Sequence, residues 1–278
     1  MEFIDHRGEI EIIGVSDFDP EKIFECGQCF RWDADERGFY YGVAHGRVTR
    51  VRSYCGSVFI SCSIEDFEAV WYDYFDFCRD YREIRRQLCV DDFMLRATEF
   101  GAGIRILRQE SWETLCSFIF SQCNNIPRIR KIIESLCQKF GDRIEFEGKS
   151  YFTFPSADRI AALDEKSLAF LRSGYRAAYV IDAAKAVVSG NPDLESLSRF
   201  STEDARTSLK ALRGVGDKVA DCVVLFGYNM LDAFPLDVWV KRAVAKFFNP
   251  EFDPVIFSPY AGIAQQYIFY YIRSEVSK

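Results

Sequence analysis

Leu209-Lys210-Ala211-Leu212-Arg213-Gly214-Val215-Gly216-Asp217-Lys218-Val219-Ala220-Asp221 is the stretch from which the rest of the chain can be read. A helical run capped at Thr202 stops at Arg213, a Gly-Val-Gly turn follows, and a new helix opens at Asp217 or Lys218. Two glycines in three residues permit positive φ and leave backbone N–H groups uncovered. Those groups stand at a helix N-terminus, where the positive end of the dipole favours a phosphate. The local pattern is a helix-hairpin-helix, which grips a nucleic-acid backbone through Gly214, Val215 and Gly216 without reading sequence. An ordinary turn between two helices would carry the same glycines.

Lys218 breaks a local rule: in the first turn of a helix the dipole disfavours a cation by roughly 0.3–1 kcal/mol. Such violations cluster at functional sites, although a surface lysine fits the same description. The dipole and partial desolvation favour the neutral amine, a nucleophile able to form a Schiff base with a sugar carbon or a carbonyl. Nineteen residues on stands Phe234-Pro235-Leu236-Asp237-Val238-Trp239. As N-cap of the amphipathic run 238–244, Asp237 accepts backbone N–H bonds that keep it ionised. The same carboxylate would stabilise a positively charged, sugar-like transition state. Asp221, one turn beyond Lys218, reads as an ion-paired or surface residue.

Helical periodicity extends in both directions from this hairpin. It begins near residue 92, with predicted helices from Ser111 (as N-cap) to Phe120 and from Ile126 to Phe140, the latter ended by Gly141. Two more are expected over 155–172 and 175–189, broken by Ser173-Gly174, and a last one from Pro259 to Ser274. The first part of the chain differs. Glu9-Ile10-Glu11-Ile12-Ile13 alternates, residues 39–44 and 48–51 flank Gly46, and Ser57–Cys62 is β-rich. Ser63 is expected to cap a helical stretch.

Composition bounds the classes. The 278 residues, 49% hydrophobic and 28% charged, exclude a disordered or fibrous chain and suffice for about two domains. No run approaches a membrane span, and MEFIDHRGEI lacks the basic and apolar regions of a signal peptide. Net charge is −7, against a globally basic nucleic-acid binder. The charge is uneven: residues 1–95 carry 11 Lys/Arg against 20 Asp/Glu, and residues 96–278 carry 24 against 22. A phosphate-binding surface therefore belongs in the second part and is local. The ten cysteines are expected to be reduced thiols, since a chain with a large core and no export signal needs no disulfides. Cys26 and Cys29 form the only close pair, without a second pair at zinc spacing.

Gly214-Val215-Gly216…Lys218-Val219-Ala220-Asp221 with Pro235-Leu236-Asp237-Val238 resembles the helix-hairpin-helix, Gly/Pro-rich, Asp-containing DNA glycosylases. Gly27-Gln28-Cys29-Phe30-Arg31-Trp32, residues 118–129, Gly174-Tyr175-Arg176-Ala177 and residues 259–265 are similar to motifs of the 8-oxoguanine branch, in the same order. The resemblance implies an α+β fold, with an N-terminal antiparallel-sheet domain over 1–96 and a mostly helical region over 97–278. In the helical region 97–130 and 211–278 carry the hairpin around a subdomain at 131–210. It implies a bifunctional enzyme that flips 8-oxoguanine out of duplex DNA, excises it and nicks the strand by β-elimination. Lys218 would attack C1′ and Asp237 would stabilise the developing charge. Gly27, Cys222, Gln265 and Phe269 would form the base pocket, with the Gly27 carbonyl accepting the N7–H that guanine lacks. Asn124, Arg128, Tyr175 and Arg176 would face the opposite base and the duplex. Carbonyls of Lys210, Leu212 and Val215 would hold a monovalent or divalent cation. No cofactor is required, and no iron–sulfur cluster is expected because no cysteine follows Cys222. The expected enzyme is a monomer of the cytoplasm or, in a eukaryote, the nucleus.

The chain departs from eukaryotic members at Cys123, where they have the first Asn of a triple run. Trp239 stands in place of a phosphate-contacting His, and Ile272 in place of its acidic partner. Two other functions stay open: a glycosylase for another damaged purine, and a hairpin protein that binds DNA without chemistry.

Overall fold

The structure, a computed structural model, describes residues 2–276; residues 1, 277 and 278 of the expected spans lie outside the described residues. Six strands are Glu2–Asp5 (β1), Ile10–Ile13 (β2), Trp32–Ala34 (β3), Tyr40–Ala44 (β4), Arg47–Tyr54 (β5) and Ser57–Ile60 (β6). They form one antiparallel sheet in the order β1-β2-β6-β5-β4-β3. Its buried face meets Phe24, Trp71, Phe75 and Phe77, and Trp32 stacks on Phe24 with ring centroids 4.1 Å apart. Thus the alternation read in the first sixty residues is a sheet with one face on a core.

A second core is helical. Helix Ser111–Ser121 packs on Asp217–Tyr228, Asp92–Phe100 packs on Ala261–Val276, and Val238–Phe247 packs on that same last helix. The division expected at 96/97 falls inside helix Asp92–Phe100, whose Phe93, Met94 and Ala97 belong to the helical core, as do Tyr81, Ile84 and Leu88. The sheet core instead ends at Phe77 and takes back only Leu107.

Three local expectations are corrected. Ser111 is the first helical residue and Glu110 holds the cap position, while Ser201 rather than Thr202 caps the hairpin's first helix. The Ser201 hydroxyl accepts the Asp204 amide at 3.1 Å. Residues 155–172 do not form one helix: Ala157–Ala161 is followed by a turn and a 3₁₀ segment, Ala169–Leu171. Asp164 Oδ1 accepts both the amide and the hydroxyl of Ser167, offering the backbone a turn in place of the helical ladder. The second part also contains a hairpin, Arg143–Phe146 (β7) with Lys149–Phe152 (β8). Its Glu147-Gly148 turn has φ of +48° and +73°, the two positive values that a tight hairpin turn requires.

Residues 23–28 and 105–107 are strapped together beneath the candidate site. Gln28 is fully buried; its Nε2 donates to the carbonyls of Ile23 (2.9 Å) and Arg105 (2.8 Å), and its Oε1 accepts the Leu107 amide (2.9 Å). Gln28→Ala leaves these backbone groups unpaired in a dry interior, so a loss of about 3 kcal/mol is expected. A urea titration should show a lower midpoint at unchanged slope; an unchanged midpoint would show that the strap carries no stability.

Candidate active site

The hairpin turn joins helix Thr202–Lys210 to helix Asp217–Tyr228. Gly214 has φ +82°, and a Cβ there would sit 2.2 Å from the Tyr179 ring, so no other residue fits. Gly216 caps the second helix with open space where its Cβ would be. The Val215 amide is already spent on the Leu212 carbonyl at 3.1 Å. The turn closes on itself at Val215, whose amide is therefore not among the uncovered ones. Asp221 is ion-paired with Arg206 at 2.5 Å, and burial pushes its carboxyl up to about 6 against the pull of that guanidinium. It belongs to the far side of the helix, where Thr202, Arg206 and Leu236 line a separate groove.

Lys218 points the other way, into a cleft of about 550 Å³ between the hairpin helix, the C-terminal end of helix Ser111–Ser121 and the first part of the chain. Its Nζ lies 3.4 Å from Ser121 Oγ and 4.7 Å from the centroid of the Phe118 ring. Asp237 lines the same cleft and caps helix Val238–Phe247, its Oδ1 accepting the Val240 amide at 2.8 Å. Burial nonetheless pushes this carboxyl above its ordinary range; the amides of Val240 and Trp239 and the charges of Lys218 and Arg273 oppose the shift without cancelling it. The cap that should hold Asp237 low thus loses to desolvation.

Behind Lys218 the cleft narrows to a recess of about 50 Å³ lined by Gly27, Lys218, Cys222, Asp237, Gln265 and Phe269. These are the two catalytic and four pocket residues singled out from sequence. Gln265 is buried, and its Oε1 has no hydrogen-bond partner among the described residues. Such an atom costs free energy unless a ligand or water meets it. Burial pushes the Cys222 thiol up to about 11, the neighbouring Lys218 charge acting against it. Gly27 has φ +84°, and a Cβ there would come within 3.3 Å of both Ile126 Cδ1 and Phe269 Cε1.

Sequence reasoning assigned no role to the residues that hold Gly27 in place. Gln266 Nε2 donates to the Cys26 carbonyl at 2.7 Å, Arg273 donates to the Glu25 carbonyl at 3.1 Å, and Gln109 to the Gln28 carbonyl at 2.8 Å. The Arg273 guanidinium also stacks on the Phe269 ring, 5.4 Å from its centroid. The i, i+4 spacing of Phe269 and Arg273 was the available signal. For Gln266 none existed, since a buried glutamine on a buried helix face shows its partner only in three dimensions.

The expected DNA-facing residues divide. Asn124, in the cleft wall, donates to the Phe120 carbonyl (3.0 Å) and accepts the Asn125 amide (3.1 Å). Arg128 is exposed and donates to the Arg172 carbonyl at 2.9 Å. Tyr175 is 50% exposed, with Arg176 over its ring. Arg176 itself is buried, donating to the carbonyls of Gln122, Cys123 and Ser173. Its guanidinium shapes the 122–123 loop and is not presented to solvent.

Residues 12–115 match the family described as 8-oxoguanine DNA glycosylase, N-terminal domain, and residues 116–254 match the HhH-GPD superfamily base excision DNA repair protein. The chain is similar to the Saccharomyces cerevisiae N-glycosylase/DNA lyase, 42% identical over 152 residues, which cover 50% of this chain and 40% of the yeast protein. The alignment thus spans less than half the length of that relative. It is also similar to two solved structures bound to DNA. MBOgg1 with a low-affinity DNA ligand is 44% identical, with a TM-score of 0.94, covering 100% of this chain and 99% of that one. The Clostridium acetobutylicum 8-oxoguanine glycosylase/lyase, in complex with double-stranded DNA containing cytosine opposite 8-oxoguanine, is 36% identical, with a TM-score of 0.93 and 99% of each chain covered.

Proposed function

Because the chain belongs to the 8-oxoguanine DNA glycosylase family of the HhH-GPD superfamily, we propose that it is a DNA N-glycosylase with AP lyase activity acting on 8-oxoguanine in duplex DNA. The observation that carries this reading is the convergence of Lys218, Asp237, Gly27, Cys222, Gln265 and Phe269 on one recess.

The glycosidic carbon cannot be reached inside a stacked duplex, so the nucleotide is extruded at a cost of a few kcal/mol. Tyr175 wedges into the stack, Arg128 and the Asn124 segment meet the partner strand, and Gly216 with the amides after it holds a phosphate. The base enters between Cys222 and Phe269. Gln265, with its unmatched Oε1, meets the Watson–Crick edge, and the Gly27 carbonyl accepts N7–H. Guanine would bring a lone pair to that carbonyl, a mismatch that discriminates far more strongly than shape. Lys218 Nζ attacks C1′, the base leaves with the glycosidic electron pair, and Asp237 stabilises the positive charge that develops on the sugar. The amine adduct opens to a Schiff base, from which β-elimination breaks the strand.

A recess of about 50 Å³ holds little more than a water, so the base enters only as the Phe269 ring, held under Arg273, gives way. The reading includes action as a monomer on cytoplasmic or nuclear DNA. Among the described residues no helix is long and apolar enough to cross a membrane. The proposal extends to a cation at the carbonyls of Lys210, Leu212 and Val215. The Val215 to Leu212 hydrogen bond curls this segment into one turn, and an all-oxygen donor set suits a hard cation. Such an ion would bridge the hairpin to a phosphate, and base release does not pass through it.

The test is release of free base and borohydride capture on duplexes carrying 8-oxoguanine, other damaged purines or guanine, each opposite all four bases. The expected result is selective release of 8-oxoguanine with a covalent protein–DNA adduct. Preferred release of a different damaged purine would replace the substrate, and binding without adduct or release would leave only a DNA-binding module.

A further inference from the structure

The lysine that is misplaced at the N-terminus of its own helix is well placed against another helix. Lys218 Nζ reaches the last turn of helix Ser111–Ser121, an eleven-residue element whose C-terminus carries the negative end of a dipole. Its partner there is the hydroxyl of Ser121, 3.4 Å away, and beneath it lies the Phe118 ring face, 4.7 Å from Nζ to centroid. The Ser121 hydroxyl donates its proton to the Phe118 carbonyl at 2.8 Å. That bond fixes the rotor, so the oxygen lone pairs are turned outward as acceptors for Nζ. The ring and the hydroxyl, three residues apart, lie on one face of the helix.

We infer that Ser121, supported by Phe118, is a positioning residue that holds Lys218 Nζ at the mouth of the recess in the orientation from which it attacks. This rests on the proposed function above. Lysine is among the side chains with most rotamer freedom to lose, and covalent attack depends on a small fraction of its orientations. A fixed acceptor on one side and a ring face below remove most of the others. Neither group touches the reacting carbon, so their effect is expected on the bond-forming step and not on DNA affinity.

The experiment uses the full chain, Ser121→Ala and Ser121→Thr, with a duplex carrying 8-oxoguanine opposite cytosine. Single-turnover borohydride capture and duplex Kd are measured together. Ser121→Ala is expected to slow capture about fivefold, the size of one ordinary hydrogen bond, with Kd within about twofold. Ser121→Thr keeps the hydroxyl and is expected to restore the rate. Capture by Ser121→Ala at the unaltered rate overturns the inference, and so does a threonine variant as slow as alanine. A Kd that rises in step with the loss of capture assigns Ser121 to DNA binding and likewise overturns it. Failure of the underlying reading shows separately, as absence of capture by the unaltered chain.

Discussion

Lys218→Gln is expected to abolish base release, strand nicking and borohydride capture together, each by at least about a thousandfold, because one nucleophile serves all three. Glutamine keeps a polar group near the Ser121 hydroxyl but has no amine to form a bond with C1′. Its shorter side chain also draws back from the Phe118 ring, whose centroid lies 4.7 Å from Nζ in the unaltered chain. Folding should be preserved, since a cation in the first turn of a helix is disfavoured in any case. Duplex affinity should weaken only slightly, as one positive charge among several near the backbone is removed. Gel-resolved capture, single-turnover base release and a binding isotherm on the same preparation decide the matter. A glutamine variant that nicks the lesion strand at the unaltered rate removes Lys218 from the chemistry.

Asp237→Asn is expected to slow base release about a hundredfold while leaving the melting temperature nearly unchanged. The two effects separate because asparagine caps a helix about as well as aspartate, and the Oδ1 that accepts the Val240 amide at 2.8 Å is kept. Only the charge is lost. A buried carboxylate facing a developing oxocarbenium-like charge is worth about as much as a single preorganised electrostatic group in other enzymes, two to three decades in rate. The upward push of burial on this carboxyl adds a sign to the pH dependence. The ionised form is the active one, so the rate should fall on acidification and begin to fall above the ordinary aspartate range. In the asparagine variant that acid limb should disappear. An acid limb that survives the substitution would assign it to another group, and a large drop in melting temperature would make the capping role the dominant one.

The hairpin, the N-cap at Asp237, the helix Ile126–Phe140 with its Gly141 stop and four of the strands were legible because each is set by residues within a few positions of one another. The misreading at 155–172 has the same cause seen from the other side. Apolar spacing suggested a continuous helix, and the short-range competition from Asp164 and Ser167 was missed. The β7–β8 hairpin was also local, signalled by Glu147-Gly148 between alternating segments. Arg176 could not be placed from sequence. Whether an arginine reads solvent, a base or a ring of carbonyls depends on the loop it folds under, and here Gln122 and Cys123 come from a different helix end.

From the chain alone came the sheet-then-helix order, the Gly-Val-Gly turn and the choice of Lys218 and Asp237, and the family resemblance added Gly27, Cys222, Gln265 and Phe269. Tertiary packing decided what those groups experience. It brought the C-terminal end of one helix, with Ser121 and Phe118, against a lysine that its own helix disfavours. It buried Asp237 deeply enough for desolvation to outweigh its cap, and it fastened Gly27 through Gln266 and Arg273, more than two hundred residues away along the chain. Caps and turns act over a few bonds and so are written in neighbouring letters. Desolvation, orphaned acceptors and ring contacts depend on which distant surfaces meet, and that is fixed only when the two cores close on each other.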